Sequence, residues 1–238
     1  MKPFNLKASF IALSFLLSAA AFASGSKRPD IGEEGTDGSG TVVTYPVVIP
    51  PDNPVTDEEA QEIEEKYSHL DPDKLVPSPL LEKAVAFYDA NLAIIKNQRY
   101  MVVIDFKQHS GKKRFYLIDM ESGEVEPYLT AHGKNSDPDY DGYATKFSNT
   151  NGSLMSSLGF YLTAETYYGE HGYSLRLDGL SSTNSNARKR AIVIHGASYV
   201  NSFLPKMGRS YGCPALDENF STQVIDMIKG GTLIFADG

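Results

Sequence analysis

A single cysteine, Cys213, sits in the run Ser210-Tyr211-Gly212-Cys213-Pro214. Upstream, the apolar run Ile192-Val193-Ile194 ends at His195-Gly196, and fourteen residues separate His195 from Ser210. A thiol attacks as its thiolate, and imidazole is the side chain suited to take its proton near neutral pH. A strand end would hold the His rigidly. Gly212 lets the backbone turn so that consecutive amides face one point, which is the geometry of an oxyanion hole. Pro214 stiffens the exit from that turn. Taken alone, Cys213 could be a small buried hydrophobe and His195 a satisfied core histidine. The Gly and Pro that flank the thiol, placed after a strand-end His-Gly, favour chemistry over packing.

The elements that would position these residues can be read along the chain. The 238 residues carry 41% hydrophobic and 22% charged side chains, enough for one ordinary domain and some extra chain. Net charge is −8, which argues against nucleic acid as a partner. One Cys leaves no internal disulfide and no Cys-cluster metal site. Residues 1–23 read as a signal peptide. Lys2 and Lys7 precede the apolar run Ala8–Ala19, and Ala21-Phe22-Ala23 is a small-x-small cleavage box. The apolar run is too short to span a membrane, and none after it is long enough. No Cys follows it, which excludes a lipid-modified start. Export to the periplasm is expected, and losing Lys2 and Lys7 would take the formal charge from −8 to −10. Oxidising compartments pair thiols, so a lone one there is either inert or kept for its reactivity.

Residues 24–55, rich in Gly and Pro, read as a flexible linker. Val42–Val48 could pair as an edge strand, with Pro46 interrupting it. A helical region over 56–98 follows, and residues 99–238 form the main domain. Thr56-Asp57-Glu58-Glu59 is a capping box for a short acidic helix to about Tyr67. Ser78-Pro79 starts a second helix, with Leu81, Val85, Tyr88, Leu92 and Ile95 on one face. From Tyr100 the period becomes two. Strands are predicted at Tyr100–Phe106, Arg114–Met120, Glu124–His132, Gly159–Thr163, Tyr173–Leu177, Ala191–His195 and Thr232–Phe235. One more helix is predicted at Asn219–Lys229. Many short strands and few helices predict a mainly β fold of the sandwich or barrel kind.

The 192–216 region resembles the murein L,D-transpeptidase catalytic domain family. That family carries a His, a gap of about fifteen residues, then Ser/Thr-His-Gly-Cys. The match runs through His195-Gly196, Tyr199-Val200, Gly208-Arg209-Ser210 and Gly212-Cys213-Pro214-Ala215-Leu216. It extends back through Ala144–Asn149, Leu158–Tyr161 and Tyr173–Gly179, covering about residues 80–236. Two positions depart from the pattern: Tyr211 replaces the His before Gly, and Ala215 stands where an Arg usually follows the Cys.

The resemblance implies an L,D-transpeptidase-type β-sandwich with a few helices, preceded by N-terminal helices. It implies cysteine acyl transfer on peptidoglycan stem peptides, hence a part in cell-wall biogenesis and cell shape. Cys213 would attack and His195 would be the base, with the amides of Tyr211, Gly212 and Cys213 around the oxyanion. Ser210, Gly196 and Tyr199 would line the substrate site, and Arg209 or Arg176 would supply the missing guanidinium for a carboxylate. No cofactor and no metal is called for, and a monomer is expected. Two alternatives share the sequence: an L,D-carboxypeptidase that passes the acyl group to water, and a non-catalytic wall-binding module with an inert thiol.

The remaining motifs carry less chemistry. Asp137-Pro138-Asp139-Tyr140-Asp141-Gly142 opens like a calcium loop, but Ser148 occupies the twelfth position where a bidentate acid belongs. A solvated acidic turn is the better reading. His132 and His171 are expected to be surface or strand-end histidines, and Arg188-Lys189-Arg190 a solvated loop. Deleting residues 24–55 should leave fold and activity intact, since so little apolar surface cannot offset the cost of ordering them. A truncation starting at Thr56 that melts well below the longer chain would contradict this.

Overall fold

The computed structural model describes residues 56–238. The expectations for the leader, the linker and a strand at 42–48 lie outside the described residues.

Helix α1, Asp57–Lys66, begins as the sequence specifies. Thr56 Oγ1 accepts the Glu59 amide at 3.2 Å, and the Glu59 carboxylate accepts the Thr56 amide at 2.7 Å. Helix α2, Ser78–Ala90, starts one residue earlier than expected: Pro77 is the cap and Ser78 already helical. Lys66 and the Tyr67 hydroxyl both bond Asp89, tying α1 to α2. Leu81, Val85 and Tyr88 are buried, whereas Leu92 and Ile95 lie beyond the helix end. Asn91 Nδ2 stops α2 by donating to Phe87 O at 2.9 Å.

The expected period-two runs form strands β1 (Tyr100–Asp105), β2 (Lys113–Asp119), β3 (Val125–Leu129), β5 (Gly159–Gly169), β6 (Gly172–Gly179), β7 (Val193–His195) and β9 (Leu233–Asp237). They make one curled seven-stranded mixed sheet in the order β3-β2-β1-β9-β5-β6-β7. Pairing is antiparallel except between β1 and β9. The fold is mainly β, as expected. Its second sheet is a two-stranded parallel pair, β4 (His132–Gly133) and β8 (Arg209–Ser210), which the sequence did not mark. The predicted strand over 124–132 is split between the two sheets: β3 stays in the large one, and Ala131 N–H then bonds Ala215 O at 3.0 Å on the way to β4.

Alternation along the strands divides the core. Met101, Val103, Tyr116, Ile118, Leu233 and Phe235 face α2, where Phe87 stacks on Phe160 with ring centroids 3.7 Å apart. Val102, Ile104, Phe115, Leu117, Leu175 and Ile234 face α3 (Glu218–Ile228), which buries Val224, Ile225 and Ile228 against them. Each such side chain contributes roughly 1.5–3 kcal/mol on burial. Helix α3 is capped by Asp217, which accepts the Asn219 amide at 2.9 Å. No helix among the described residues is long and apolar enough to cross a membrane.

Candidate active site

Two backbone ladders hold the Cys213 turn against His195. On one side, β8 pairs with β4, placing Ser210 opposite Gly133. On the other, Leu216 N–H bonds His195 O at 2.9 Å and Ala197 N–H bonds Leu216 O at 2.9 Å. The turn between these anchors is tied by Ser210 Oγ. It accepts the Gly212 amide at 3.1 Å and donates to Cys213 O at 2.6 Å, with His132 O 3.3 Å away. The Gly212 amide is therefore spent inside the turn. This amide, one of the three expected to face an oxyanion, is committed elsewhere.

Gly212 has φ +127, a conformation that side chains other than glycine's rarely adopt. A β-carbon there would lie 2.7 Å from Met155 O and 3.2 Å from Arg190 Nη2. Gly212→Ala should therefore destabilise by about 1–3 kcal/mol and displace Cys213. Thermal melting and alkylation of the variant check this, and wild-type values in both would refute it.

Cys213 is half-buried, and burial pushes its thiol up from the ordinary range. Its Sγ–H faces Ala191 O at 3.7 Å, and the Val193 amide and the Arg190 charge oppose the upward shift. His195 is buried, with Nδ1 2.8 Å from Gly196 O. A carbonyl only accepts, so Nδ1 carries the proton and Nε2 keeps the basic lone pair. The His171 ring stacks on that of His195 at 4.3 Å and 19°. Burial, with the His171 charge as a lesser contributor, lowers the His195 pKa. The resting pair is thus a neutral thiol and a neutral imidazole. No hydrogen bond joins the two side chains among the described residues. In resting sites such contacts commonly tighten only around substrate.

The other expected site residues fall around this pair. A β-carbon on Gly196 would meet Ser221 Oγ at 2.6 Å, so glycine there lets α3 approach the His. Tyr199 is half-buried, its hydroxyl pushed up to about 12 chiefly by burial. Tyr211 is 72% exposed, consistent with a position that contributes through its backbone. The two arginines expected to offer a free guanidinium are engaged. Arg209 donates to Asp137 O and lies over the Tyr140 ring at 4.1 Å. Arg176 pairs with Glu165 at 3.1 Å and lies over the Tyr167 ring at 4.3 Å.

Three expectations are corrected. Arg188-Lys189-Arg190 is not a solvated run: Arg188 pairs with Glu165 and Asp178, and Arg190 packs beside Gly212. His132 does lie on a strand, β4, but not on the surface. It is fully buried between Arg114, whose Nη2 lies 2.8 Å from Nδ1, and Asp137, whose Oδ2 lies 3.3 Å from Nε2. Asp137 is likewise no solvated acid. Its carboxylate accepts the Asp141 and Gly142 amides, each at 3.0 Å. Among the described residues no three His, Cys, Asp or Glu side chains converge to hold a metal ion.

The L,D-transpeptidase catalytic domain model matches residues 73–236, and the chain belongs to that family. The match takes in α2 as well as both sheets. Similar solved structures include an L,D-transpeptidase from Mycobacterium smegmatis, 14% identical over 59% of each chain with a TM-score of 0.38. Another is L,D-transpeptidase 3 from Mycobacterium tuberculosis, 13% identical over 59% of this chain and 61% of that one, with a TM-score of 0.40. Bd1075 from Bdellovibrio bacteriovorus is 14% identical over 60% and 50%, with a TM-score of 0.38. The chain spans about three fifths of the length of the mycobacterial structures it matches. No curated protein matches it.

Proposed function

We propose that this protein is an exported L,D-transpeptidase that acts on peptidoglycan stem peptides in the periplasm. Family membership supplies the reaction class. The observation that carries the residue assignment is the double anchoring of the Cys213 turn, to β4 through Ser210 and to His195 through Leu216. It supports a reading in which the thiol is presented to a buried imidazole whose Nε2 is free to act as base.

In this reading Cys213 Sγ attacks the carbonyl of the L-centre in a tetrapeptide stem while its proton passes to His195 Nε2. A tetrahedral oxyanion forms, and the amides of Tyr211 and Cys213 hold it. As the intermediate collapses, the C–N bond to the terminal D-Ala breaks and His195 returns the proton to the departing amine. The thioester that remains is attacked by the amine of a second stem. That amine loses a proton to His195, the C–S bond breaks and the thiol is restored. The resting chemistry is neutral, so His195 acts as a true general base and not as a standing imidazolium.

Muropeptide analysis after incubation with sacculi tests the reading. A transpeptidase yields 3-3 cross-links. Tripeptides without cross-links would mean that water is the acceptor and the protein an L,D-carboxypeptidase. An unchanged muropeptide profile, with Cys213 inert to alkylation, would mean a wall-binding module.

A further inference from the structure

Arg190 is a half-buried guanidinium whose bonds all go to neutral oxygens. Nη1 donates to Ser148 O at 2.7 Å and Ser157 Oγ at 3.2 Å. Nη2 donates to Ser153 Oγ at 3.2 Å and to Met155 O. No carboxylate joins these contacts, in contrast to Arg188 two residues earlier, which has two. Taking a cation out of water without a counter-ion is costly, and folds keep such a group mainly where its charge has a use. The place is specific: Nη2 lies 3.2 Å from where a β-carbon of Gly212 would be, one residue from Cys213.

The donor count limits what that use can be. Four of five N–H groups are already committed, so Arg190 has no free fork with which to grip a substrate carboxylate. What it still offers is its field. The group one residue along from Gly212 that could become an anion is the thiol of Cys213.

We propose that Arg190 is the fixed counter-charge of the Cys213 thiolate, lowering the cost of the anion left when the Sγ proton passes to His195 Nε2. Arg190 exchanges no proton itself. The other titratable groups facing the thiol cannot substitute for it. Tyr161 from β5 and Tyr199 from the segment after β7 are both pushed up to about 12 and stay neutral. His195 is neutral at rest through burial, and once it has taken the Sγ proton its neighbour His171 opposes the positive charge it then carries. Burial pushes the thiol up, and the Val193 amide and then the Arg190 charge pull it down. The Ser148–Ser157 segment thus holds a charge in place, and the reaction draws on that charge.

The proposal rests on Cys213 being the nucleophile, but its test needs no turnover, so the two can fail separately. Cys213 is the one thiol in the chain, so its ionisation can be followed by thiolate absorbance and by iodoacetamide alkylation against pH. Arg190→Gln should move the thiol titration to higher pH and slow alkylation at neutral pH about tenfold, the equivalent of one pKa unit. Arg190→Lys keeps the charge and loses the clamp, and should stay close to wild type. Equal shifts in both variants, or none in either, would overturn the proposal. Should Arg190→Gln fail to fold, the double variant Ser153→Ala, Ser157→Ala keeps the charge and removes two hydrogen bonds. Its thiol must titrate as in wild type, and a shift there would sink the idea.

Discussion

Cys213→Ala is expected to lose turnover by roughly 10⁴- to 10⁶-fold while keeping its fold, the range set by removing a nucleophile from a concerted site. The fold survives because the thiol does little structural work. Its contact with Ala191 O is 3.7 Å long, and the turn is held instead by Ser210 and Leu216. His195→Ala should lose a comparable factor in kcat and some stability as well, since the ring is buried and stacked under His171. The double variant should be scarcely worse than either single one, because the two side chains act as a unit. The readouts are D-Ala release and 3-3 cross-link formation by purified protein, with melting curves alongside. A Cys213→Ala protein that still releases D-Ala would show the nucleophile to be wrongly assigned.

The second large effect is acid destabilisation through His132. Arginine only donates, so the contact with Arg114 makes His132 Nδ1 the acceptor and places the ring proton on Nε2, facing Asp137. Protonating Nδ1 would oppose two donors in a dry interior. Burial first, then the Arg114 charge, lowers the His132 pKa to about 4 from an ordinary 6.5. The unfolded chain therefore binds the extra proton between those values. Stability is fully present above about 6.5 and falls as pH drops toward 4, by a total on the order of 3 kcal/mol. His195, also lowered, adds a loss of the same sign. Urea midpoints between pH 7 and pH 4.5 should show the decline. His132→Gln, which keeps an acceptor and a donor but no titrating ring, should flatten most of it. A wild-type midpoint that does not change with pH would refute the assignment.

What could be read from the sequence was local. The Thr56/Glu59 box, the period-two runs at Tyr100 and Arg114 and the strand-end position of His195 each depend on neighbours within a few residues, and each is where it was expected. How the buried polar groups behind the Cys213 turn meet was not legible, because the chain brings them from far apart. Arg114, His132 and Ser210 meet through three different strands, two of them only two residues long and without any periodic signal. Arg190 read as one charge in a basic run, since nothing in that run says that its partners are carbonyls forty residues earlier. One trace existed. Arg114 is a buried charge directly before the apolar run Phe115–Ile118, and the register of β2 against β3 slips between Lys113 and Phe115, where a bulge turns the guanidinium inward.

The place of β9 in the large sheet has a consequence for the order in which the molecule comes into being. Before Leu233–Asp237 are made, the strands form two separate groups of three, β3-β2-β1 and β5-β6-β7, each with an open edge. Only β9 bridges them among the described strands, and it does so by pairing with β1 across the stretch from Met101 to Leu233. Long-range pairing of this kind must meet its loop-closure entropy before any contact repays it, so the joining step comes late and slowly. Helix α3, which packs on β1, β6 and β7, precedes β9 directly in the chain and is seated by the same event. A nascent chain therefore carries both His195 and Cys213 for some time before the two halves of the large sheet, and with them the anchors on either side of the Cys213 turn, are joined.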